Sequence, residues 1–434
     1  MAIFEMRASA ARKQMNRMSR HTGAPRRHGA MFAGLLLLGF VAGGCKGVLE
    51  VELPGRVKSE ALASPGLAIT MVASTQGDFE CAFSEFVHTT GLWSNELLNS
   101  SGGAEVNPWG ARLSTYDGGT TVCATVSASR GTFSVYLPLQ IARGQAEGAI
   151  TRLDGFTDVQ VPTRTLLTAT ALAYSGYIHM LFGEAYCQMA VDDGPFITPA
   201  ATLAIAEARF TRAISMATTA NNAAILNLSL LGRARVRLDL KNLTGAAADA
   251  RLIPTGFVYN ATYNTTPFRR SNTVVLVQNT NFHESVAPEY RGLVVGTTPD
   301  PRVVVTNANR NGQDALTPLW LQKKYAAVDS PIPMATWDEA QLIIAEAEGG
   351  QSAVDAINRV RAKYALPLYA SGGTAAAIAA QIIEERRRTL FLDGHSIGDH
   401  LRYGIPFATG VNQKGVRYGD LTCLPLPPVE TTGK

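Results

Sequence analysis

Apolar positions recur at three- and four-residue steps over much of the second half of this chain. Between Leu203 and Ala217, residues Leu203, Ala206, Phe210, Ile214 and Ala217 share one face, while Glu207, Arg209, Thr211 and Arg212 fall toward the other. That is the period of an amphipathic helix. A second helix places Leu228, Leu231, Ala234 and Leu238 in line, Asn242 to Gly245 turns the chain, and Ala246 to Ile253 begins a third that Pro254 stops. Alanines at the crossing positions let such helices pack as close antiparallel pairs. The pattern resembles a degenerate tetratricopeptide repeat, with starts nearer forty residues apart than the usual 34.

Similar patterns predict helices through Phe79–Trp93, Phe133–Leu153 and Thr163–Phe182, and again beyond Thr336. Thr336 and Glu339 form a capping-box pair ahead of Ala340, Ile344 and Ala347. Ser352–Lys363 and Ala375–Leu392 complete the set. Two stretches break the rhythm. Asn99–Gly131 is rich in Ser, Gly, Thr and Asn with Trp109 and Tyr116 among them, and reads as a long recognition-type loop. Phe257–Ser330 is irregular, with strand-like Val274–Gln278 and Val303–Thr306. The tail Leu424-Pro425-Leu426-Pro427-Pro428 is expected to lie extended on the surface, not helical. The fold class expected is therefore mostly α: antiparallel helix pairs as a scaffold, long irregular loops and a few short strands.

The N-terminus changes the setting. Seven basic residues and one acid precede the apolar run Met31–Val41, which ends at Ala42-Gly43-Gly44-Cys45. Basic flank, short apolar core and small residues are the parts of an export signal, and eleven apolar residues fall short of the roughly twenty that span a bilayer. With Cys after the small pair the segment resembles a bacterial lipoprotein signal, although Ala42 stands where Leu is usual. The resemblance implies lipidation at Cys45, removal of residues 1–44 and a lipid anchor in place of a spanning helix. The long basic lead leaves Met15 or Met18 as alternative starts.

Charge follows the signal. Of 39 basic and 35 acidic residues, processing leaves 32 against 34, so nothing points to a nucleic-acid partner. No GxxxxGK[ST] or HExxH pattern follows Cys45. Four cysteines remain, Cys81, Cys123, Cys187 and Cys423, with none in a CxxC pair. Two disulfides in any of three connectivities, or buried thiols, are open.

The later chain is similar to the SusD/RagB family of outer-membrane nutrient-uptake lipoproteins. Glu385–Gly404 (ERRRTLFLDGHSIGDHLRYG) carries that family's pattern at Glu385, Arg386, Arg388, Leu390, Asp393, Gly394, Asp399, Arg402, Tyr403 and Gly404. It departs at Thr389, Ser396 and His400, where an acid, Arg and Leu are usual. Asp300-Pro301-Arg302, Lys324-Tyr325, Pro331-Ile332-Pro333 with LIIAEAE, Ala356–Arg361, Leu181-Phe182-Gly183 and the closing Leu424–Glu430 match further elements in order. These residue types suit a buried ion-pair network that fixes packing. A metal site at His395, Asp399 and His400 lacks helical two-His spacing. The neighbouring acids Asp192-Asp193 and Glu384-Glu385 diverge by about 100° on a helix and do not flank one glycosidic bond.

The resemblance implies one SusD-like domain over 45–434, with a loop-rich ligand portion near 90–135 and 255–330. It implies an outer-membrane, cell-surface lipoprotein that captures a nutrient, commonly an oligosaccharide, and delivers it to a TonB-dependent (SusC-like) transporter. No catalytic residue, cofactor or metal is expected. The ligand candidates are Trp93, Asn95, Trp109, Tyr116, Tyr263 and Trp320, since such sites stack aromatic faces on sugar rings and bind hydroxyls through amides. The alternatives are a tetratricopeptide-like lipoprotein that scaffolds an envelope assembly complex, and a family member that binds peptide or another nutrient.

Overall fold

The computed structural model describes residues 64–103, 106–113, 123, 135–192, 194–266, 270–370 and 373–431. Cys45, Tyr116 and the export signal lie outside them. After a turn opened by Pro65, helix α1 (Ala68–Trp93) runs through the interior, buried on nearly every side from Phe79 onward. Strand β1 (Leu97–Asn99) and the short α2 (Val106–Gly110) follow. Helices α3 (Tyr136–Gly155) and α4 (Arg164–Ala185) pack against α1 and each other. A small hairpin, β2 (Met189–Ala190) with β3 (Phe196–Ile197), leads to α5 (Pro199–Thr219), α6 (Ala223–Asp239) and α7 (Leu243–Ala250).

The antiparallel helix pairs expected from the sequence are present. Asn222 and Asn242 cap α6 and α7, their side chains accepting from Ile225 N–H (2.9 Å) and Gly245 N–H (3.1 Å). Phe210 explains the tight approach of α4, α5 and α6. Its ring fills the space a Cβ would need at Gly176 of α4 and at Gly232 of α6. Gly183 similarly admits the Leu203 side chain, so a Cβ there would meet it at 2.6 Å.

Strand β4 (Val258–Ala261) pairs antiparallel with β10 (Ile332–Thr336), and a register shift between Pro333 and Ala335 absorbs the proline. Between them lie β5 (Glu284–Val286), the β6 (Val294–Val295) and β7 (Thr298–Pro299) hairpin, and the β8 (Val305–Asn311) and β9 (Pro318–Gln322) hairpin. The strand expected at Val274–Gln278 is instead part of a helical segment, with a π-type turn over Val275–Thr280. Helices α8 (Trp337–Glu348), α9 (Gly350–Lys363), α10 (Ala375–Thr389) and α11 (Ser396–Tyr403) complete the scaffold. Thr336 caps α8 as read from the sequence, accepting from Glu339 N–H at 3.0 Å.

The tail is not a surface strand. Leu424 is fully buried, donates its N–H to Ala185 O (2.7 Å) and accepts from Cys187 N–H (3.0 Å). The Cys187–Cys423 disulfide holds this junction, and Cys81–Cys123 forms the other bond. Pro428, which needs no N–H partner at a helix start, opens the short α12 (Pro428–Thr431). No helix among the described residues is long and apolar enough to cross a membrane.

Scattered sequence motifs meet in buried ion pairs. Glu385 on α10 accepts from Arg361 of α9 (2.8 and 2.6 Å) and from Arg302. Arg302 also forks onto Asp300 (2.9 and 2.7 Å), and Thr389, standing where an acid is usual, accepts from it at 3.1 Å. Arg386 forks onto Asp399, which also accepts from Arg402 (2.7 Å), and Arg402 reaches Asp239 of α6 and Glu346 of α8 at 2.8 Å each. The two guanidiniums hold the Asp399 carboxyl well below the usual range despite its burial. Lys324 and Tyr325 meet at Asp393 (2.6 and 2.5 Å), beside Gly394, whose φ of 78° and contact with α1 suit only glycine.

Removing Glu385 leaves Arg361 and one arm of Arg302 buried without an acid. Glu385→Ala is expected to cost about 3–5 kcal/mol, read as a lower urea midpoint. A loss below about 1 kcal/mol would show that the network does not hold these helices together.

Candidate functional site

The described region with an exposed, ligand-like chemistry is the group of strands built on β1. Strand β1 pairs antiparallel with β5, Leu97 opposite Val286 and Asn99 opposite Glu284. β9 is joined to β5 through one side chain: Ser285 Oγ donates to Pro318 O (2.8 Å) and accepts from Trp320 N–H (2.9 Å). β8 pairs with β9, placing Asn307 opposite Trp320. From behind, Gln278 donates to Trp320 O (2.8 Å) and accepts from Gln322 N–H (3.1 Å). These bonds set the Gln278 side chain, at the end of the helical Val274–Gln278 segment, against the edge of β9.

The base of this group is electrically fixed. His88 of α1 lies between Glu85 and Glu284, 3.1 Å from each. Both ring nitrogens face carboxylates, so both donate and the imidazole is cationic. Burial pushes His88 down, but the two carboxylates outweigh it and raise the group to about 9. β5 is thereby clamped to the central helix.

The outer surface is rich in amides and cations. Asn307, Asn309, Arg310 and Asn311 are exposed. Trp320 is half-buried, with the Arg291 guanidinium 4.9 Å from its ring, and Arg310 lies 4.6 Å from the Phe282 ring. The loop after β1 is tied in: Ser100 donates to Phe282 O (2.9 Å), and Gln313 accepts from Ser101 Oγ (3.0 Å) and Gly102 N–H (2.8 Å). Aromatic planes, amides and guanidiniums bind hydroxylated or anionic ligands, and no nucleophile–base pair is assembled here.

The candidates read from the sequence are placed differently. Trp93 (0% exposed) and Trp109 (5%) pack edge to face in the core, ring centres 5.7 Å apart. Tyr263 (5% exposed) donates its hydroxyl to Glu80 O at 3.0 Å. These three rings are structural, and an expectation that they stack on a ligand is corrected by their burial. Asn95 sits at a left-handed φ of 62° after α1 and donates to Tyr418 Oη (3.3 Å). Trp320 alone of the described candidates belongs to the exposed group. Arg291, Phe282, Asn307 and Arg310 were missed, although the run Asn307–Asn311 (NANRN) is a dense amide signal.

The His395, Asp399 and His400 side chains do not converge. His395 donates to Asp393 O (3.1 Å) and accepts from Arg235 (2.8 Å), whereas His400 donates to Ile405 O (3.2 Å). A separate cavity of about 410 Å³ opens between α4, α5, α6 and α11. Its acids belong to the scaffold: Glu184 takes a fork from Arg235 (2.6 Å twice), and Asp239 is held by Arg402. Burial and Asp239 push Glu184 up to about 8 against the pull of Arg235.

No family profile matches the chain, and no curated protein matches it. Solved structures do. Surface glycan-binding protein A from Bacteroides fluxus superposes with a TM-score of 0.66 at 13% identity, over 85% of this chain and 97% of that one. The same-named protein from Bacteroides thetaiotaomicron, solved with laminarihexaose, gives 0.62 at 13% over 85% and 97%. A SusD-like carbohydrate-binding protein from Bacteroides vulgatus gives 0.63 at 14%, over 80% and 85%. The fold is the SusD-like fold.

Two outcomes follow from the site's foundations. Trp109→Ala is expected to cost about 3–5 kcal/mol of stability, seen as a lower melting midpoint; unaltered stability with lost ligand affinity would return Trp109 to the binding surface. For His88 the folded group is raised above its ordinary 6.5 to about 9. Its stabilisation is therefore complete below the unfolded value and lost as pH rises through the folded one. The urea-midpoint gap between the protein and His88→Gln should narrow from about pH 6 to about pH 10. A constant gap would mean that His88 is not charged in the fold.

Proposed function

We propose that this chain is a glycan-binding member of the SusD group: an outer-membrane lipoprotein that captures an oligosaccharide and passes it to a TonB-dependent transporter without acting chemically on it. The observation that carries the reading is the combination of a SusD-like fold with an exposed aromatic–amide surface, Trp320 facing Asn307 with Asn309 and Asn311 beside them. A relative of this fold was solved with laminarihexaose. Lipidation at Cys45 would place the domain at a membrane surface, where a binder that holds its ligand without cleaving it would hand it to a transporter.

The reading is tested by affinity electrophoresis of the exported protein in gels containing soluble glycans. Retardation by at least one glycan is expected, and Trp320→Ala should weaken it by about tenfold, the scale of one aromatic contact. No retardation by any glycan, together with recovery of assembly-machine proteins and no barrel from solubilised membranes, would replace it with the envelope-scaffold reading.

A further inference from the structure

Arginines on this chain are mostly spent on carboxylates. Arg302, Arg361, Arg386, Arg388 and Arg402 all form ion pairs. Arg291 and Arg310 differ. Arg291 lies over Trp320 and donates Nε and Nη2 to Val286 O (2.9 and 2.6 Å), which leaves Nη1 without a partner among the described residues. Arg310 lies over Phe282, with Nε donating to Asn311 O (3.2 Å) and both terminal nitrogens uncommitted. Neither forms an ion pair among the described residues.

A guanidinium resting on an aromatic face is held in one plane, with less rotamer freedom left to lose on binding. Its open N–H edge matches the two oxygens of a carboxylate. Arg291 occupies one face of the Trp320 ring, so a ligand that meets that face meets a cation. The register sets the spacing. Asn307 faces Trp320, and Arg310 is three residues further along the same strand, at most about 10 Å away.

We infer that the surface binds an acidic glycan, one that carries uronate carboxylates, with Arg291 and Arg310 as the anion-binding groups. This rests on the glycan-binding reading above. Isothermal titration of the exported protein with polygalacturonate, alginate and glucuronate-containing oligosaccharides, each against its methyl ester, and with a neutral laminari-oligosaccharide, tests it. Binding of a uronate is expected, abolished by esterification, weakened by added salt, and reduced about tenfold or more by Arg291→Ala or Arg310→Ala. Arg291→Lys, which keeps the charge without the fork, should fall between. Binding of neutral glycan alone, or uronate binding unmoved by both alanine substitutions, overturns the inference and leaves the glycan reading standing. Binding of no glycan at all removes both.

Discussion

Glu385 has no exposed surface and two arginines on it, and the arrangement of the C-terminal half follows from satisfying that charge. A buried carboxylate without partners is so unfavourable that the chain must bring them, whatever else it does. Arg361 comes from α9 and Arg302 from the loop before β8, so both segments are pinned to α10. The adjacent Arg386 extends the constraint through Asp399 and Arg402 to α6 and α8. Such networks add little net stability over apolar packing, but a wrong register strands a charge, and that penalty selects one arrangement of helices.

The same logic reaches the exposed strands. Glu284 of β5 is fully buried and meets His88, which α1 supplies, while Asp393 next to α10 holds Lys324 and Tyr325 beyond β9. The surface hairpin is thus tied at both ends to buried charges. Its position is set from behind, away from its outward side chains.

This division explains what could be read from the residues alone. Helix α5 was legible because Leu203, Ala206, Phe210 and Ala217 repeat at helical steps and are all buried. The cap at Thr336 was legible because it is local. The segment Val274–Gln278 was not: its β-branched residues favour a strand, and the amide bonds of Gln278 to β9, more than forty residues away, override that preference. The tail misled for a similar reason, since its burial depends on the distant end of α4 and a disulfide across 236 residues. Aromatic type likewise told nothing about exposure. Trp93 and Trp109 cover each other, which only the return of the chain after β1 decides.

The residues that carry the likeness to the SusD family, Asp300, Arg302, Lys324, Tyr325, Arg361, Glu385, Arg386, Asp393, Asp399 and Arg402, are the members of the buried networks. They specify how helices meet, and they reach the hairpin only from its buried side, where Tyr325 and Gln322 exchange hydrogen bonds. A motif of this kind reports the fold and is silent about the ligand. Solved structures at 13–14% identity share the architecture. The ligand must be decided elsewhere, by solvent-facing side chains whose replacement strands no buried charge. On this chain the asparagines of β8, Trp320, Arg291 and Arg310 are side chains of that kind.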